Sequence, residues 1–163
     1  MMLVSSVRPG IFAAIVLSLL LVASPMWAAE SRDKRKPLPT VTMRVGSAVI
    51  EASVANTNES RVAGLLGWSG MTEWQGMLLD FGVDGTYAIH MQGMKFPIDA
   101  VWINSSDEIT LIYEDIRPDS GLVYPSVVPA AYCLELKAGF CKKYGVKIGQ
   151  KVRFGASSPR NDP

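Results

Sequence analysis

The chain's one histidine, His90, opens the stretch HMQGMKFPIDAVW, with Met91 and Met94 close behind it. Imidazole and thioether are soft donors that suit Cu(I), so the stretch is a candidate copper clamp. Spacing restricts it. On an extended strand His90 and Met94 share a face about 13 Å apart, at ~3.3 Å per residue, and Met91 points to the other face. Only a chain reversal at Gly93 gathers His90 and Met94 around one ion. The competing reading is a bend between two β-strands, with the methionines as core filler and His90 on the outer face or against Trp102.

Asp99 in IDAVWI and Glu135 in YCLELK are carboxyl groups embedded in apolar text, and Arg61 in ESRVAGLLG is a cation similarly placed. A buried carboxylate needs a partner. One arrangement is a structural ion pair of Arg61 with Asp99 or Glu135. The other is an Asp99–Glu135 acid–base pair in a carboxylate-dependent hydrolase. A third candidate site is a ligand- or peptide-binding groove lined by Trp68, Trp74, Tyr124 and Arg61, against which stands a plain lid over the sheet. Other templates fail. A serine triad has only His90 for its base, GWSGM lacks the second glycine of a nucleophile elbow, and neither GxxxxGK nor a strand-linked GxGxxG occurs. One histidine with two separated cysteines does not furnish a structural zinc site.

The elements that must position these residues read mostly as strands. TVTMRV and AVIEASVA flank Gly46-Ser47, a hairpin turn. NTNESRVAGLLG follows as a short helix, with Asn56 as N-cap, Val62, Leu65 and Leu66 on its apolar face, and Gly67 at its end. GMLLDF and TYAIHM are strands expected to pair across the turn VDG, and IDAVWI and EITLIYED are apolar enough to be central. DIRPDSGLVYPSVVPA, with three prolines, is an irregular connection of the kind that carries function. AYCLEL, a short helix in AGFCKKYG and a last strand KVRF complete the domain.

The chain has 163 residues, enough for one ordinary domain. Residues 11–24 form an apolar run preceded by Arg8 and followed by Pro25 and small residues, the pattern of a signal peptide cut after Ala28 or Ala29. An uncleaved N-terminal anchor is the alternative. Export predicts a periplasmic or secreted protein with no membrane span after cleavage. Removing Arg8 leaves fifteen basic against fifteen acidic residues. That balance excludes a phosphate-neutralising nucleic-acid surface, and RDKRK reads as linker. Export also places Cys133 and Cys141 in an oxidising compartment, where they form either a disulfide or two small buried thiols. The expected organisation is a signal peptide at 1–28, a charged, proline-containing linker at 29–39, a β-rich domain at 40–154 and a disordered tail at 155–163.

The order and spacing of ESRVAGLLG, GMLLDF, HMQGMKFPIDAVWI and YCLELKAGFCKKYGVKIGQKV resemble the bacterial and archaeal family called domain of unknown function 192, from about Val41 to Phe154. The family-like positions are Arg61, Gly64 and Leu65, Gly76, Met77 and Leu78, Met91, Pro97 and Asp99, and Leu134, Glu135 and Gly139. His90, Met94 and Gln150 depart, standing where the family usually has an aromatic, a polar and an acidic residue. The resemblance implies a compact, often exported β-rich domain with two short helices and no established activity. Together these readings predict an α+β fold: a strongly curved, barrel-like mixed sheet covered by two short helices. The expected role is a small-ligand or partner-binding accessory module of the cell envelope, the partner being an unidentified small molecule or envelope protein. A periplasmic Cu(I) binder and a hydrolase are the alternatives, and no other cofactor is implied.

Overall fold

The computed structural model describes residues 37–155. The expected signal peptide, most of the linker and nearly all of the tail lie outside the described residues. In chain order the elements are β1 (Thr40–Val45), β2 (Ala48–Ala55), α1 (Asn58–Ala63), β3 (Gln75–Gly85), β4 (Ala88–His90), β5 (Ile98–Ile103), β6 (Ile109–Ile116), β7 (Val123–Pro125), β8 (Ala130–Lys137), α2 (Phe140–Tyr144) and β9 (Arg153–Phe154). Seven strands form one mixed sheet in the order β6-β5-β8-β3-β2-β1-β9, and β4 and β7 form a separate two-stranded sheet. The fold is β-rich and the sheet strongly curled, as the alternation of apolar residues implied.

The opening hairpin forms as expected, with Gly46 at φ 58 in its turn. A side chain there would also collide with the Tyr144 carbonyl. Between Ala55 and Gln75 the chain crosses over through α1, so β2 and β3 pair in parallel, an arrangement no tight turn can make. α1 begins one residue later than expected. Thr57, not Asn56, is the N-cap: Thr57 Oγ1 accepts from Ser60 N–H at 3.1 Å and Ser60 Oγ accepts from Thr57 N–H at 2.9 Å. The helix closes at Gly64 instead of Gly67, leaving Val62 in solvent while Leu65 is buried.

Both edges of β3 are occupied, by β2 and β8, so the expected pairing of TYAIHM with GMLLDF does not occur. β3 instead runs on through VDG, with an irregularity between Asp80 and Gly85, and Ala88–His90 pairs with β7. β5 is central and buried at all six positions, as expected. β6 has a strand on one side only, which corrects its expected central place.

Because β5, β8 and β3 are covered on both faces, the domain holds two apolar clusters. One contains Met43, Ile50, Ile103, Ile109 and Leu136. These come from strands far apart in the sheet order, so they meet only inside the curl. The curl brings the outermost strands together at one end: Ile109 N–H donates to the Gln150 carbonyl at 2.8 Å, and Val152 N–H to the Asp107 carbonyl at 2.9 Å. The second cluster, with Leu65, Met77, Met91, Met94, Trp102 and Cys133, lies on the outer face beneath α1 and the small sheet.

Asp99 is fully buried and ties three segments together. Its Oδ1 accepts from Asp115 N–H at 2.9 Å and Gly139 N–H at 3.1 Å, and its Oδ2 accepts from Cys141 N–H at 2.9 Å. Gly139 has no side chain with which to cap α2, so the Asp99 carboxyl serves instead. Asp99→Ala leaves these amides without their partner and is expected to lower unfolding stability by about 3 kcal/mol or more in denaturant titration, with Asp99→Asn in between.

Candidate functional site

The strand register decides the carboxylate question. Asp99 lies opposite Leu136, and Ala100 opposite Glu135, across β5 and β8. Opposed residues share a face and successive residues alternate. Asp99 therefore points into the curl, and Glu135 points outward beside Met77 and Ala100. The sheet separates the two carboxyls, so the acid–base pair of a hydrolase is not assembled.

Glu135 is 8 % exposed, and its Oε2 has no hydrogen-bond partner. The atom lies beneath the end of α1, 4.0 Å from where a Cβ on Gly64 would stand. Burial pushes its pKa up to about 8, so the carboxyl is largely protonated at neutral pH. On the same face, burial first and Glu135 second raise the Cys133 thiol. Trp102 Nε1 is the other buried side-chain polar atom without a partner among the described residues.

Arg61 pairs with neither carboxyl. Its Nη1 donates to the Asp80 carbonyl at 2.6 Å and its Nη2 to Asn58 Oδ1 at 2.6 Å, with the guanidinium 5.5 Å from the centre of the Phe81 ring. The expected aromatic groove is also divided. Trp68 and Tyr124 pack against the outer cluster, whereas Trp74 leans on Tyr144 of α2 at 6.0 Å between ring centres. Phe81 stacks on Tyr87 at 3.9 Å, and Tyr113 meets Tyr124 edge-on at 5.3 Å. Trp68, Phe81, Tyr87, Tyr113 and Tyr124 pack on the outer cluster, while Trp74 is largely exposed.

The soft-donor stretch does bend at Gly93, φ 78, where Met94 N–H donates to the Met91 carbonyl at 3.1 Å. The bend buries both methionines and leaves His90 exposed, its Nδ1 accepting from Gln92 N–H at 3.3 Å. The thioethers are packed in the outer cluster while the imidazole faces solvent, and no group of three or more His, Cys, Asp or Glu able to hold a metal occurs among the described residues. Cys133 and Cys141 are both free and buried, one in the outer cluster and one in the inner, so no disulfide links them.

Residues 41–154 match the family model for domain of unknown function 192, described as an uncharacterised ACR. The chain belongs to the DUF192 family. A crystal structure from Sinorhizobium meliloti 1021, provisionally described as a transcription regulator, superposes with a TM-score of 0.70 at 29 % identity, covering 74 % of this chain and 97 % of that one. A protein of unknown function from Novosphingobium aromaticivorans DSM 12444 shares the fold with a TM-score of 0.66 at 19 % identity, over 77 % of this chain and 91 % of that one. No curated protein matches.

In this DUF192 domain the positions singled out for chemistry mostly serve the fold. Sequence reasoning marked the connection DIRPDSGLVYPSVVPA but not which of its residues are displayed. Leu122, Val123, Val127 and Val128 are 42 to 67 % exposed, and Val127 adopts φ 63, a conformation β-branched residues avoid. Val128 N–H donates to the Ser126 carbonyl at 2.7 Å, closing a tight three-residue turn. The turn is held from below by Ser126, itself fully buried, whose N–H donates to the Tyr87 carbonyl at 2.8 Å and whose Oγ accepts from Tyr87 N–H at 3.3 Å. The run of aliphatic residues between prolines was the available signal.

Two outcomes check this site. Glu135 contributes most stability below its unfolded pKa of 4.5, and that contribution is lost as pH rises through about 8. The loss accumulates at roughly 1.4 kcal/mol per pH unit in that window. Glu135→Gln, which mimics the neutral carboxyl, is expected to flatten the decline and to exceed the native protein in stability above pH 8. Both thiols are expected to resist a thiol reagent in the folded protein and to react in denaturant, with no change in mass on reduction.

Proposed function

We propose that this DUF192 protein is an exported accessory module of the cell envelope that binds a partner through the connection between β6 and β8. The observation that carries this reading is the exposed aliphatic set Leu122, Val123, Val127 and Val128, displayed on a turn in strained backbone. Strain of that kind persists only where surrounding structure imposes it. Here Ser126, buried against Tyr87, does so. Several exposed aliphatic side chains carried by one connection are a mark of a contact site, whereas the other exposed apolar residues, such as Val62 and Ile148, stand singly along the chain.

The partner chemistry follows from the adjacent backbone. β7 pairs only with β4, so the small sheet is free to take a further strand. An extended apolar peptide segment fits both features, its backbone adding to the sheet and its alternate side chains meeting the aliphatic set. Export is supported by the leader-like residues 11–29 in the sequence. The transcription role attached to one structural neighbour is not carried over, because with near-balanced charge the two helices among the described residues, of six and five residues, offer no basic recognition helix there.

The test is a titration of the full chain against extended apolar peptides from envelope proteins, alongside a thermal-shift panel of metals and sugars. Binding is expected for apolar peptides, weakened about tenfold by Leu122→Ser combined with Val123→Ser, and lost when peptide amides on the pairing edge are methylated. Peptide binding that survives both changes overturns the reading. A signal from metals or sugars in place of peptides does the same.

A further inference from the structure

A second surface feature lies at the other end of the sheet, where β1 meets β9. The register sets Arg44 directly opposite Arg153, and both side chains are exposed. Residues opposed in an antiparallel pair hold their Cβ atoms about 5 Å apart, and like charges placed so destabilise the strand pair. Among the described residues no ion pair offsets the repulsion. Neither arginine has an ion pair or side-chain hydrogen bond among the described residues. Glu51, opposite Thr42, stands diagonal to Arg44, and Glu108 is the backbone bridge partner of Lys151, but neither carboxylate makes an ion pair with an arginine among the described residues. A charge that merely guards a sheet edge against other strands would need only one of the two arginines.

Arg153 lines a depression, and Arg44 faces Arg153 across the strand pair. Gly46, Ser47, Tyr144, Gln150, Lys151 and Arg153 border an open hollow of about 490 Å³. Its wall is internally satisfied: Ser47 N–H and Oγ–H both donate to the Tyr144 carbonyl at 3.1 and 3.2 Å, and Gln150 Nε2 donates to the Gly145 carbonyl at 3.2 Å. Lys151 Nζ spends one donor on the Ser106 carbonyl at 2.8 Å and keeps two. The spare donors around the hollow are those of Lys151 and Arg153 and one N–H of the Gln150 amide.

The geometry points to a binding site for a phosphate-type oxyanion, held between the guanidiniums of Arg44 and Arg153 at the rim of this hollow with Lys151 beside it. Each planar guanidinium presents paired N–H groups matched to two oxygens of a tetrahedral anion, and one anion between them converts a repulsive pair into two attractive ones. The site is independent of the aliphatic surface described above. Its ligand is a free phosphate compound or a phosphate-bearing lipid headgroup.

The experiment compares the full chain with Arg44→Gln, Arg153→Gln, the double variant, and Arg117→Gln as a control that removes an exposed arginine paired with Asp115. Inorganic phosphate is expected to raise the melting temperature above that in sodium chloride of equal ionic strength, with affinity falling roughly tenfold for each of the two arginines removed and unchanged in the control. Without phosphate, each single variant should melt no lower than the native chain, since a repulsion has been relieved. Co-sedimentation with phosphatidylglycerol vesicles, but not phosphatidylcholine ones, lost in the double variant and with no response to inorganic phosphate, assigns the site to a headgroup. The proposal is overturned if neither probe binds, if the double variant binds as the native chain does, or if the single variants melt lower without ligand.

Discussion

The carboxyl of Asp99 is the contact on which the architecture turns. It sits at the start of the most deeply buried strand, β5, and accepts hydrogen bonds from the last turn of β6, from the glycine before α2 and from α2 itself. Three segments well separated in sequence, β5 itself, the end of β6 and the start of α2, thus meet at one carboxyl. α2 has five residues and no capping side chain, so it could not persist in isolation. Held by Asp99, it places Phe140 and Cys141 across the mouth of the curl and closes the inner cluster. A buried carboxyl that looks catalytic in the sequence is consumed in holding the fold.

A sheet packed on both faces leaves its middle unavailable to ligands. Glu135 shows the consequence: it lies on the covered face, neutralised by burial instead of by a cation, while Arg61 hydrogen-bonds a backbone carbonyl above it. The exposed features lie at the margins, where the two sheets end. One margin carries aliphatic side chains on a strained turn, and another carries opposed arginines beside an open hollow. Their chemistry differs, apolar at one and cationic at the other.

The soft-donor stretch shows how far sequence reasoning reached. Gly93 does make the bend that its position suggested, and Met91 and Met94 fill core space. Which strand the preceding segment joined was not legible, since that depended on whether the edges of β3 were free. The crossover through α1 had already given one edge to β2, and β8 took the other. The N-cap was displaced by one residue because Thr57 and Ser60 satisfy each other's amides, a reciprocity Asn56 cannot offer from its place. Arg44 and Arg153 gave no warning at all, being separated by more than a hundred positions.

By itself the sequence determined the period-two patterning, the glycine-marked turns, the family and hence a curled, β-rich domain with two short helices. These are local properties, written in which residues alternate and which tolerate a left-handed backbone. Which side chains meet was decided by tertiary structure. Facing partners are chosen by strand register, and a shift of a single residue exchanges the two faces of a sheet. Asp99 and Glu135 fell on opposite faces, and so did the two cysteines, while two distant arginines were brought face to face. Register is settled by the packing of the whole sheet, and no short stretch of the chain encodes it.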